Sequence, residues 1–163
     1  MITVTTMTTM TTMTTMTTSE LLAHHLREVP DVFSALDASW SGAWSVVDPC
    51  LLELCRLQVA AVLQCHEESA IRTEAAIACG FDEAKATALS EWFRSSIYSS
   101  AERACLAFTD QFVIDVANLD DGTAATVREQ LGDQGFVDFV SALLIIEQRQ
   151  RLRLAWATLL DER

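Results

Sequence analysis

Apolar residues recur at intervals of three and four along nearly all of the chain after residue 18. That is the period of one face of an α-helix. Leu21, Leu22 and Leu26 form a first short stripe, with Ser19 placed to cap it. A break at Pro30-Asp31 opens a second helix with Val32, Phe33, Leu36 and Trp40 on one face. Asp48-Pro49 is a strong start signal, because Asp supplies a capping oxygen and Pro suits the first helical position. The helix behind it carries Leu51, Leu52, Leu54, Leu57, Val59, Ala60, Val62 and Leu63. It is apolar nearly all round, which predicts burial in the core or against a partner subunit. Another helix is expected from about Cys65 to Gly80, where glycine suits a left-handed exit. Asp82 caps a short helix through Leu89. Ser99 and Glu102 have the spacing of a capping box, followed by Leu106, Phe108, Phe112, Val113 and Val116. Asp121 and Asp133 are read as caps of the last two helices, the final one carrying Phe136, Val140, Leu144, Leu152 and Trp156. No β-hairpin signature interrupts this pattern. The expectation is an all-α, compact helical bundle with Trp40, Trp44, Trp92 and Trp156 in its core.

Residues 1–18 break the pattern with a Thr-Thr-Met repeat. This stretch is read as a flexible low-complexity leader without the basic start of a signal peptide, ahead of one domain over residues 19–163. Its threonines would suit a strand if a neighbouring subunit offered an edge. The most apolar run, Ala142–Ile146, ends at Glu147 and is far shorter than the roughly 18 residues of a membrane span.

Composition sharpens the picture. With 5 Gly and 2 Pro in 163 residues, the chain can punctuate few turns, which favours long helices. A formal net charge of -12 would repel a phosphate backbone and argues against nucleic-acid binding. Five cysteines (50, 55, 65, 79 and 105) are an odd number with no secretory signal. Free thiols in a reducing cytoplasm are expected.

The stretch from Asp48 to Ala60, with Cys65 beyond it, resembles a motif of the carboxymuconolactone decarboxylase / alkylhydroperoxidase D-like (AhpD-like) family. In the redox branch of that family a Glu is followed, after eleven residues, by Cys-x-x-Cys and then His four residues on. Here Glu53 and Cys65 keep the spacing, but Glu68 stands at the second Cys position and Arg72 at the His position. Ala78-Cys79-Gly80, Tyr98 to Ala104, and Gln150-Arg151-Leu152 resemble further family signatures. The likeness spans roughly residues 28–160. It implies an all-α fold that assembles as a homo-oligomer (dimer, trimer or hexamer), with a site between helices and neither metal nor organic cofactor.

The resemblance makes Glu53 the candidate proton-transfer group and Cys65 the candidate nucleophile. If 65, 68 and 72 share a helix face, Glu68 and Arg72 form an i, i+4 ion pair where the family has a thiol and an imidazole. Glu67 and Glu68 would then make Cys65 less acidic than a peroxidase thiol. His66 and Arg151 are candidates for contacting substrate, although His66 points about 100° away from Cys65 around a helix. His24 and His25 are expected to face solvent or a crevice, and Arg149 and Arg153 to lie in surface or interface pairs. Adjacent Cys65-His66-Glu67-Glu68 diverge on a helix and make a poor metal site.

Three functions remain open. The first is a cofactor-independent lyase or isomerase acting on a small organic acid or carbonyl compound, in keeping with a family that includes a lactone decarboxylase without a cysteine pair. The second is a single-cysteine thiol peroxidase or reductase using Cys65. The third is a non-catalytic oligomeric binding module.

Overall fold

The computed structural model describes residues 16–161, with side chains to residue 157. Most of the expected leader therefore lies outside the described residues. Helix α1 (Thr18–His25) starts two residues earlier than a Ser19 cap would place it. Thr17 accepts from the Glu20 amide, and the Glu20 carboxylate accepts from the Thr17 amide at 2.8 Å. A capping box needs its acid three residues on, which Thr17 has and Ser19 lacks. Pro30 opens α2 (Pro30–Val46). Its inner face is Phe33, Leu36, Trp40, Ala43 and Trp44, while Val32 is exposed.

Helix α3 (Pro49–Leu63) is the axis of the molecule. Asp48 caps it, accepting from the Leu51 amide at 2.8 Å, and every residue from Leu51 to Ala60 is buried. Gln64 ends it in the left-handed region, φ 58°, its amide turned back to Ala60 and Ala61.

The helix expected over residues 65–80 is instead two short ones, α4 (His66–Ala70) and α5 (Glu74–Cys79). The break has an identifiable cause. Arg56, reaching across from α3, donates to the carbonyls of Glu68 and Ile71, both at 2.9 Å. Thr73 then starts α5 as its N-cap, accepting from the Ala76 amide. Gly80 ends α5 at φ 72°, a conformation that glycine adopts without a Cβ penalty.

Asp82 caps α6 (Glu83–Thr87), and Ser99 and Glu102 form the capping box of α7 (Ser100–Asp115). The last helix, α8 (Asp121–Asp161), is broken at Gly132, φ 76°. Its cap is Asp120, one residue before the Asp121 expected, accepting from the Thr123 amide at 2.9 Å. Asp133 is engaged by the Arg128 side chain.

Helices α2, α7 and α8 pack around α3. The main core joins Leu52, Cys55 and Val59 of α3 to Phe108 of α7 and Phe139, Leu143 and Ile146 of α8. Phe108 lies against Phe112, Phe136 and Phe139 at ring separations of 5.6–5.9 Å. The four tryptophans are half-buried rather than core residues. No described helix is long and apolar enough to cross a membrane.

The cysteines depart from expectation. Cys50 and Cys79 are joined by a disulfide, whereas Cys55, Cys65 and Cys105 are free and buried. Cys50 sits in the first turn of α3 and Cys79 at the end of α5, so the fold brings together two thiols whose spacing gave no hint of it.

Candidate functional site

A cleft of about 430 Å³ opens between α1, α2, the α4–α5 segment and α8. Trp40 and Trp44 form its α2 wall, Glu68, Arg72 and Thr73 the opposite side, and Arg149 and Gln150 the α8 side.

Beneath it lies a buried ionic network centred on Arg56, which has no solvent exposure. Its Nε and Nη2 donate to the two oxygens of Glu53 at 2.9 and 2.7 Å, and its Nη1 donates to Glu68 Oε2 at 2.7 Å. Burial works against the guanidinium charge, yet the two carboxylates hold its pKa above the ordinary value. Glu53 also accepts from the Thr73 hydroxyl at 2.9 Å, and Glu68 Oε1 accepts from the Thr18 hydroxyl. An ion pair buried this deeply needs its remaining lone pairs met. Thr73 and Thr18 meet them here, and Gln150 caps the Arg56 carbonyl at 3.0 Å.

The α8 side differs. Arg149 lies over the face of Trp40, 4.3 Å from the ring centroid, and its Nη2 donates to Ser19 Oγ at 2.8 Å. Its Nη1 is buried with no hydrogen-bond partner, and so are Trp44 Nε1 and Gln150 Oε1. Burial lowers the Arg149 pKa, with the charges of Glu68 and Asp37 opposing the shift. Two donors and one acceptor, all on cleft-lining residues, are thus left unpaired, a costly arrangement unless something else fills the site.

The residues nominated by the sequence are scattered. Glu53 lies behind the cleft rather than in it. Glu68 lines it. Arg72 lines it too, but pairs with Glu83 through Nε and Nη2, both at 2.9 Å, and not with Glu68. The expected i, i+4 pair fails because the helix breaks between the two residues and Arg56 takes Glu68 first. Cys65 is fully buried and does not line the cleft. Burial pushes its thiol up; a hydrogen bond from the Glu68 backbone and the charge of Arg153 lower it, while Glu68 and Glu67 add to the rise. His66 is exposed at the start of α4, away from the cleft lining. Arg151 lies on another face, bound to Glu147 at 2.7 Å and to the Val113 carbonyl.

Sequence reasoning missed Arg56, Arg149, Thr73 and Thr18. Arg56 had a signal, a lone cation three residues after Glu53 in an apolar helix. Arg149 and Arg153 were expected in surface or interface pairs, but both are buried. His24 is exposed, and His25 packs on Trp156 with ring centroids 4.9 Å apart.

Among solved structures the chain resembles the crystal structure of a protein of unknown function from Agrobacterium tumefaciens, proposed there to be the antioxidant defence protein AhpD. The TM-score is 0.69 at 20% identity, over 80% of this chain and 91% of the other. The fold is therefore AhpD-like. No family model matches the chain, and no curated protein matches it significantly.

Proposed function

We propose that this is an AhpD-like protein whose turnover uses no catalytic thiol, a cofactor-independent enzyme of lyase or isomerase type on a small organic acid or carbonyl compound. The observation that carries the reading is the unpaired Arg149 Nη1 on the α8 side of the cleft, together with the unpaired Trp44 Nε1 on its α2 wall. A carboxylate on the substrate would satisfy both donors, and a charge-assisted bond to arginine is among the stronger ones available. The tryptophan wall would cover an apolar or planar body. Arg149 is better suited to this anchoring role than Arg72, whose guanidinium is already committed to Glu83.

In this reading Glu68 exchanges the proton with bound substrate; Glu74 lines the cleft too, but Glu68 is the one tied to the Arg56 network. Glu53 serves as a positioning residue: both its oxygens are held, and it fixes Arg56, which in turn fixes Glu68. In a screen of small organic acids, Glu68→Gln should remove turnover at unchanged secondary structure, and Cys65→Ala should leave turnover intact. Turnover lost in Cys65→Ala but kept in Glu68→Gln would refute this assignment and favour the thiol mechanism.

A binding module without catalysis is the second reading. It is favoured by the saturation of Glu68, whose two oxygens already accept from Arg56 and Thr18. It predicts ligand binding that depends on Arg149, with no turnover of any bound acid.

A further inference from the structure

We propose that Cys50 and Cys79 form a thiol–disulfide exchange site, opened by a dithiol reductant, whose redox state sets the rigidity of the cleft wall. The other cysteines are poorly placed for such chemistry. Cys55, Cys65 and Cys105 are buried, and burial raises each thiol above its ordinary range. Cys79, by contrast, is exposed at the end of α5, and Cys50 is half-buried in the first turn of α3. Exposed disulfides are the labile ones, because an attacking thiolate can reach a sulfur.

The step is a two-electron exchange. One thiolate of the dithiol attacks Cys79 Sγ, a mixed disulfide forms, and the Cys50–Cys79 bond breaks. Cys50 leaves as a thiolate at the N-terminal end of the 15-residue α3, where the helix dipole favours negative charge. It then takes a proton from water. The second thiolate of the reductant attacks its own sulfur in the mixed disulfide, closing the reductant's disulfide and releasing Cys79. The protein gains two thiols, and the dithiol loses two electrons and two protons.

The coupling follows from how little else holds α5. This helix has six residues, and Ala76 is its one buried side chain. Its N-terminal end supplies Thr73, Glu74 and Ala75 to the cleft, and the Thr73 hydroxyl binds Glu53. The disulfide pins the opposite end of α5 to the same helix that carries Glu53, across a sequence separation of 29. Opening it frees the segment that bridges the cleft and the ionic network. The consequence for ligand binding rests on the cleft being the ligand site proposed above.

The test treats the full native chain with excess dithiothreitol, without denaturant. Thiols are counted by alkylation and mass spectrometry, and amide hydrogen exchange is followed with no ligand present. The expected result is alkylation of Cys50 and Cys79 but not of Cys55, Cys65 or Cys105. Exchange over residues 71–80 should rise at least tenfold, with α7 and α8 unchanged, and removing the reductant and adding oxidised glutathione should reverse it. The Cys50→Ser/Cys79→Ser double variant should show the fast exchange with or without reductant. The proposal is overturned if the disulfide resists reduction until global unfolding. It is equally overturned if it fails to form, or if reduction leaves exchange over 71–80 unchanged. No organic acid enters this experiment, so its failure leaves the proposed function standing, and the reverse also holds.

Discussion

Arg56 grips the Glu53 carboxylate through two hydrogen bonds, from Nε at 2.9 Å and from Nη2 at 2.7 Å, and neither side chain touches solvent. The remaining Nη1 holds Glu68, so a single guanidinium is shared between two carboxylates and also satisfies two backbone carbonyls. Removing it would strand both acids. Arg56→Met is expected to destabilise the fold by about 3–5 kcal/mol, the usual cost of leaving a buried charge unpaired. Arg56→Lys should recover little, because an ammonium lacks the planar fork that reaches all four acceptors. Urea titration checks this, and a midpoint near that of the unaltered chain would contradict it.

Thr73 has two tasks, capping α5 and donating to Glu53. Thr73→Val should cost about 1–2 kcal/mol, the range of a lost helix cap. Thr73→Ser keeps the hydroxyl and should cost less than half of that. Equal losses in the two variants, measured by thermal denaturation, would show that shape and not the hydroxyl is what matters.

The buried thiols set an alkaline limit. Burial, helped by the nearby Glu102 charge, pushes Cys105 up to about 12, and Cys55 and Cys65 shift in the same direction. An unfolded thiol ionises at about 8.5, so above that pH the unfolded chain releases these protons first. The stabilisation from keeping them protonated is complete below that pH and is lost as pH rises toward the folded values. The thermal midpoint should fall steadily from about pH 9 upward, less steeply in Cys105→Ala. A Cys105→Ala profile parallel to that of the unaltered chain would argue against this origin.

On the acid side, Glu102 has the opposite sign. Burial raises its pKa, but the hydrogen bonds from Lys85 and Ser99 outweigh that and hold it below the ordinary carboxylate value. Its contribution is present above the ordinary range and lost as pH falls through the folded value. Glu102→Gln is therefore expected to flatten the decline in stability below about pH 4.5. Thermal melts of both proteins between pH 3 and 7 decide it, and identical slopes would sink the claim.

Several helix starts that depend on local chemistry were legible in the sequence, although the caps at Thr17, Thr73 and Asp120 were not. Asp48-Pro49, Asp82 and Ser99 with Glu102 all cap where their spacing indicates, because a cap is an interaction within four residues. The break between α4 and α5 was not legible. It is imposed by Arg56, a side chain twelve and fifteen residues distant from the carbonyls it takes. The same long reach removed the Glu68–Arg72 pair. Arg149 and Arg153 misled for a related reason: nothing local separates a surface or interface cation, as which they were read, from one that tertiary packing buries. The helix turns Arg149 and Arg153 inward and leaves Arg151 outside. The disulfide depended on tertiary geometry alone.

The central claim is that ligand chemistry lies in the tryptophan–arginine cleft and not at Cys65. Titrating the isotope-labelled chain with small aromatic and aliphatic carboxylates, while following the Trp44 indole N–H by NMR, tests this most directly. The account predicts a saturable shift of that resonance for at least one acid, abolished by Arg149→Met and retained by Cys65→Ala. Saturable binding that leaves the Trp44 indole unmoved, or that survives Arg149→Met and disappears in Cys65→Ala, would contradict it.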